Sequence, residues 1–140
     1  MNAAGTGATT SVFTPVSTTA GTTYYRVLVN ATGNDCQQAV TAVVTAIIIP
    51  DIVVTTQPTN VNECVGGTDQ MTVIISGGSG IISYQWQSSD NGASGWVNAA
   101  GTGATTSVFT PVSTTAGTTY YRVLVNATGN DCQQAVSNEV

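Results

Sequence analysis

Asn98 to Val136 reads NAAGTGATTSVFTPVSTTAGTTYYRVLVNATGNDCQQAV, and Asn2 to Val40 repeats it letter for letter. The offset is 98 − 2 = 96 residues, about the length of one β-sandwich domain and longer than the roughly 20–50 residues of most solenoid repeats. An exact repeat at that period reads as a duplicated unit of a tandem array. The stretch before Asn98, Asp51 to Val97, has no counterpart before Asn2. After Val136 come only Ser137, Asn138, Glu139 and Val140, whereas after Val40 the chain runs on through Thr41 to Ile49. Both ends read as cut points in a longer protein. The expected division is 1–49 as the C-terminal half of one repeat plus a linker, and 50–140 as a nearly complete second repeat.

Within the complete repeat, short strand signals alternate with turn residues. Asp51 to Gln57 and Val61 to Val65 predict a first strand split by Pro58. Met71, Val73 and Ile75 alternate with Thr72, Ile74 and Ser76, and Gly77-Gly78-Ser79-Gly80 follows as a turn. Ile82, Tyr84 and Trp86 alternate with Ser83, Gln85 and Gln87, so one face of this strand is aromatic and the other carries amides. Asp90-Asn91-Gly92 is a turn signal. Trp96-Val97, Ser107 to Thr110, Thr119 to Asn126 and Gln133 to Val140 bring the count to about seven strands. No stretch keeps an apolar period of 3.6 over ten residues, so no substantial helix is expected. An all-β, two-sheet sandwich is the predicted fold.

Composition agrees with strands. Hydrophobic residues make up 41% of the chain, enough for a packed core, while charged residues are only 6% against a usual figure of about 25%. Thr and Val are β-branched and favour strands, and the helix formers Lys and Glu are nearly absent. Seven acids against Arg26 and Arg122, with no His, give a net charge of −5. Nucleic acid and anionic membrane surfaces both need clustered cations, so neither is an expected partner. The longest apolar run, Ala42 to Val54, is interrupted by Thr45, Pro50 and Asp51 and falls short of the roughly 20 residues of a spanning helix. No membrane insertion is expected.

Tyr84-Gln85-Trp86-Gln87 followed by Thr118-Thr119-Tyr120-Tyr121-Arg122-Val123 resembles the immunoglobulin-like superfamily. The likeness implies a core Trp at Trp86 on strand C and a corner Tyr at Tyr121 on strand F, its hydroxyl bonded to nearby backbone. Antibody domains join strands B and F by a disulfide; the matching positions here are Val73 and Val123, so packing alone would hold the core. The expected core is Trp86, Tyr84, Tyr121, Val73 and Val123. The longer wording from Tyr84 to Cys132 resembles the Ig-like repeats of giant cell-surface proteins, of gliding and adhesin type, in Bacteroidetes. That resemblance covers the whole repeat and implies an extracellular or cell-surface location and a role in attachment or gliding. Residues 1–49 would then be strands E, F and G of the preceding repeat.

Cys36 and Cys132 occupy equivalent repeat positions, and Cys64 is the third cysteine. The resemblance and an oxidising compartment favour a Cys64–Cys132 bridge inside the complete repeat, with Cys36–Cys64 as the rival. No CxxC pair and no His accompany the thiols, so no zinc site is expected.

Catalysis finds little support. Asp69, Asp90 and Asp131 are separated in sequence and lie in turn signals, where Asp ordinarily caps local backbone. Calcium needs six to eight oxygens from clustered acids, which the chain lacks. A Ser-His-Asp or Cys-His arrangement is impossible without His, and no phosphate-cradling GxxxxGK is present. Trp96 and Tyr120 are the aromatics expected to face outward, where they could stack on a sugar. Asn30-Ala31-Thr32 and Asn126-Ala127-Thr128 match the N-glycosylation pattern and read as accidental matches in a bacterial surface protein.

The sequence therefore predicts a non-catalytic, cofactor-free and metal-free spacer or stalk repeat of a surface adhesin, with neighbouring repeats as its partners. A carbohydrate-binding module for a surface glycan, or an accessory domain of a secreted enzyme, is the alternative. Strands E, F and G without A, B and C cannot close a core, so the half repeat is also expected to be completed by another molecule, as a strand-exchanged homo-oligomer.

Overall fold

A computed structural model of the chain describes residues 2–33, 36–129 and 132–140, and all regular structure among them is β. Two compact units are present, Met1–Pro50 and Asp51–Val140.

The first unit holds β1 (Gly5–Thr6), β2 (Thr14–Pro15), β3 (Gly21–Tyr25), β4 (Leu28–Val29), β5 (Ala39–Val40) and β6 (Val44–Ile48). They pair antiparallel as β1–β2, β3–β6 and β4–β5. The second unit holds β7 (Val53–Thr56), β8 (Met71–Thr72), β9 (Ile74–Ser76), β10 (Ile82–Ser89), β11 (Val97–Asn98), β12 (Gly101–Thr102), β13 (Val108–Pro111), β14 (Tyr120–Ala127) and β15 (Ala135–Val136).

One sheet of the second unit runs β11–β10–β14–β15. Its centre is the eight-pair ladder between β10 and β14, from Ile82↔Ala127 to Ser89↔Tyr120. The opposite layer runs β12–β13–β8. Only Val73 separates β8 from β9, so β13 pairs with the first half of this stretch and β7 with the second. All pairings are antiparallel.

Inward-facing residues of the two layers meet in one core of Ile52, Met71, Val73, Trp86, Ala99, Phe109, Tyr121, Val123 and Val125. Tyr84 is half-buried against it. Trp86 and Phe109 are completely buried and stack at 5.1 Å with their planes 19° apart; Phe109 in turn meets Tyr121 at 5.4 Å and 57°. Aromatic pairs at such separations are favourable beyond the area they bury. The Trp86 indole N–H donates to the Thr106 carbonyl at 2.8 Å, so its one polar atom is satisfied. Gly101, at φ 146°, lets its strand approach Phe109: a Cβ there would lie 2.7 Å from the Phe109 ring.

Three expectations are corrected. Val61 to Val65 forms no strand; Pro58 removes a backbone donor just after β7, and the chain beyond it runs as loop and turn. Tyr121 is buried, but its hydroxyl makes no hydrogen bond to backbone among the described residues; the Thr119 side chain is the polar group that acts on it. Cys64 and Cys132 are both free thiols, as is Cys36. Cys132 lies beside Ser79, Sγ to Oγ 3.8 Å, at the Ile82/Ala127 end of the ladder, where Gly129 N–H also bonds Ser79. Cys64 sits with Tyr120 and Tyr121 at the Ser89 end. Seven strand steps of about 3.4 Å place these ends roughly 24 Å apart, whereas bridged cysteines need Cα atoms within about 7 Å.

Candidate functional site

Sequence-level acid candidates do not converge. Asp90 is exposed in its turn, and the Asp69 N–H bonds the Glu63 carboxylate at 2.8 Å. Asp131 lies outside the described residues. Among the described residues no three His, Cys, Asp or Glu side chains gather. Trp96 is half-buried, and the Arg122 guanidinium sits 4.3 Å over its ring while Arg122 Nε donates to Gln87 Oε1 at 3.0 Å. A cation already occupies that aromatic face. Tyr120 remains 37% exposed. The Asn126 side chain accepts a bond from Gln134 Nε2 at 2.8 Å, and Asn30 does the same with Gln38.

Polar side chains are instead committed to turns and strand edges. Asn91 Oδ1 accepts from the Ala93 and Ser94 N–H groups, both at 2.9 Å, closing the turn after β10. Ser89 Oγ donates to the Ser94 carbonyl at 2.6 Å, which satisfies a buried hydroxyl. Ser137 fills an irregularity between β14 and the segment that follows β15. Tyr121 exchanges both backbone bonds with Val140, and Leu124 faces Val136. Three steps on β14 therefore oppose four on its partner, which defines a bulge. The Val123 N–H, left without a carbonyl by the shift, donates to Ser137 Oγ at 3.0 Å.

One concavity lies at the Tyr121 end of the second unit, a cleft of about 490 Å³. Its walls include Val61, Cys64, Met71, Thr119, Tyr121 and Val140. The Gly66 N–H bonds the Ser113 carbonyl and Ser113 Oγ bonds the Gly67 carbonyl, both at 2.9 Å, pinning the loop that forms one wall. Burial pushes the Tyr121 hydroxyl above its ordinary value, the Thr119 bond pulls against that rise, and the Glu63 carboxylate adds to it. The cleft thus mixes apolar side chains such as Val61 and Val140 with polar ones such as Asn62, Glu63 and Thr119 around a protonated phenol.

Of the expected core, Trp86, Tyr121, Val73 and Val123 come together, with Tyr84 at the margin. Sequence reasoning missed Phe109, although it lies within the stretch Ser107 to Thr110 that was read as a strand and is that stretch's one aromatic residue.

The family model described as Domain of unknown function (DUF8696) matches residues 54–140, which is more than half of the chain. Neither the curated proteins nor the solved structures gave a match.

Proposed function

We propose a structural, non-catalytic role for this chain, which belongs to the family Domain of unknown function (DUF8696): a spacer or stalk repeat of a secreted or cell-surface adhesin, built on an immunoglobulin-like sandwich and flanked by repeats of the same kind. One observation carries the reading. Polar groups of the second unit close turns, fill a bulge or brace neighbouring strands, as Asn91, Ser137, Thr106 and Gln134 do. Trp86 on β10 facing Tyr121 and Phe109 across the core supports the immunoglobulin-like assignment. The low charge of the chain fits a passive element that binds few partners by steering.

Force spectroscopy on tandem copies tests this. Each unit of 140 − 51 + 1 = 90 residues should lengthen the tether by about 300 Å as it unfolds, at roughly 3.5 Å per residue. Even steps of that size are expected, together with a flat glycan array. The exposed Tyr120 keeps a second reading in play, a carbohydrate-binding module. A saturable glycan signal that disappears in Tyr120→Ala would replace the spacer reading with that one.

A further inference from the structure

We infer that Asn91-Gly92, in the turn after β10, is a deamidation site that the folded turn holds shut, so that modification there records episodes in which this part of the second unit has opened. The inference stands apart from the spacer reading, since it applies to any role in which the unit opens.

Asn91 is the only asparagine of the chain followed by glycine. That pair favours one reaction, because glycine carries no Cβ to shield its backbone nitrogen or restrict its approach. The Gly92 nitrogen attacks the Asn91 side-chain carbonyl carbon and a C–N bond forms. The side-chain amide leaves as ammonia, taking the proton that the Gly92 nitrogen gives up. Water then opens the cyclic imide at either carbonyl. One opening leaves aspartate; the other leaves isoaspartate, with the main chain rerouted through the former side chain.

In the fold each participant is held. Asn91 Oδ1 accepts from the Ala93 and Ser94 N–H groups, both at 2.9 Å, and the leaving nitrogen, Nδ2, donates to Ser94 Oγ at 3.2 Å. The Asn91 N–H donates to Ser89 Oγ at 3.3 Å, and Ser89 is buried and bonded to the Ser94 carbonyl. The attacking residue is fixed as well. Gly92 is buried at φ 67°, and a Cβ there would lie 2.9 Å from the Tyr120 ring. Ring closure needs the side-chain carbon to swing onto the Gly92 nitrogen, which breaks the Oδ1 and Nδ2 bonds together and drives the peptide between them against Tyr120. The native turn must therefore open first, and the rate is that of the open chain scaled by the open fraction. The product does not revert. Aspartate keeps the acceptor oxygens but has no Nδ2 donor for Ser94, and isoaspartate lengthens the backbone inside a turn whose arms are joined at Ser88↔Val97.

The test incubates the full chain at mildly alkaline pH, folded and in guanidinium chloride, with mass spectrometry of the fragment carrying residue 91 and enzymatic methylation of isoaspartate as readouts. The unfolded chain should accumulate product at residue 91 at least tenfold faster, and Asn91→Ser should abolish that product in both conditions. Tyr120→Ala uncovers Gly92 and Ser94→Ala removes the Nδ2 partner. Each should raise the rate of the folded chain while tryptophan fluorescence, which reports the second unit, stays native; the two variants are independent should one fail to fold. Equal rates in the folded and unfolded chain, product spread evenly over the other asparagines, or folded variants that react no faster than the parent overturn the proposal.

Discussion

Two stretches of 39 identical residues sit in this chain in two environments, 2–40 and 98–136, and comparing them separates what local sequence dictates from what burial adds. Local features are copied. Thr10 and Thr106 lie at the same turn, each N–H bonding the carbonyl three residues back at 3.0 and 2.9 Å, and each hydroxyl reaching the carbonyl two residues on at 2.6 and 2.7 Å. Gln38–Asn30 and Gln134–Asn126 are the same 2.8 Å bond. Phe13 meets Tyr25 at 5.1 Å and 58°, close to the Phe109–Tyr121 geometry. Even the bulge recurs: the Val27 N–H donates to Thr41 Oγ1 at 3.0 Å, as Val123 does to Ser137. Burial is not copied. Val27 and Val29 are 49% and 54% exposed, whereas Val123 and Val125 are fully buried. The difference is the packing supplied by Met71 and Val73 across the core and by Trp86 on the neighbouring strand, which only the second unit possesses.

Matched substitutions probe that difference, and both tryptophans lie in the second unit, so their fluorescence follows that unit alone. Phe109→Ala should cost about 3–5 kcal/mol in denaturant unfolding, as for other large core truncations. Phe13→Ala should leave the fluorescence transition in place; equal shifts from the two would mean the copies share one cooperative core. Val123→Ala should cost about 2 kcal/mol, against a few tenths for Val27→Ala followed by hydrogen exchange. Ser137→Ala strands the Val123 N–H and should cost about 1–2 kcal/mol. Ser137→Thr, which installs the residue found at position 41, should be nearly neutral.

The Tyr121 phenol of the buried copy supplies a pH test. Its folded value is raised from 10.0, so above that pH the unfolded chain holds fewer protons than the native one. Stability contributed by this group is present below the ordinary tyrosine value and is lost as pH climbs through the folded one. Tyr121→Phe should flatten the alkaline fall in urea midpoint. The smallest effect is expected from Cys64→Ser with Cys132→Ser, within about 0.5 kcal/mol as for exposed sites. Thiol titration should find three reactive groups. A loss of about 2–4 kcal/mol would instead indicate a bridge.

Much of this fold was legible in the sequence because alternation is a property of neighbours. Tyr84 and Trp86 announced the inner face of β10, and Gly77 to Gly80 announced the turn before it. Val61 to Val65 misled, since a β-branched composition says nothing about whether a partner edge lies within reach. The cysteine pairing misled for a related reason: strand order does not reveal which pole a loop occupies, and the β10–β14 ladder separates Cys64 from Cys132.

The turn at Thr10 and its copy at Thr106 bears on how the chain comes off the ribosome. Each hairpin needs only residues within about ten positions of itself, and hairpins close in roughly 1–10 μs, while synthesis adds about 5–20 residues per second. The earlier copy is therefore shaped long before its twin has been made, and it must keep that shape without capturing the strands destined for the later one. Keeping its own tail, Val44 to Ile48, zipped to Gly21 to Tyr25 during this interval is the simplest safeguard against such cross-wiring.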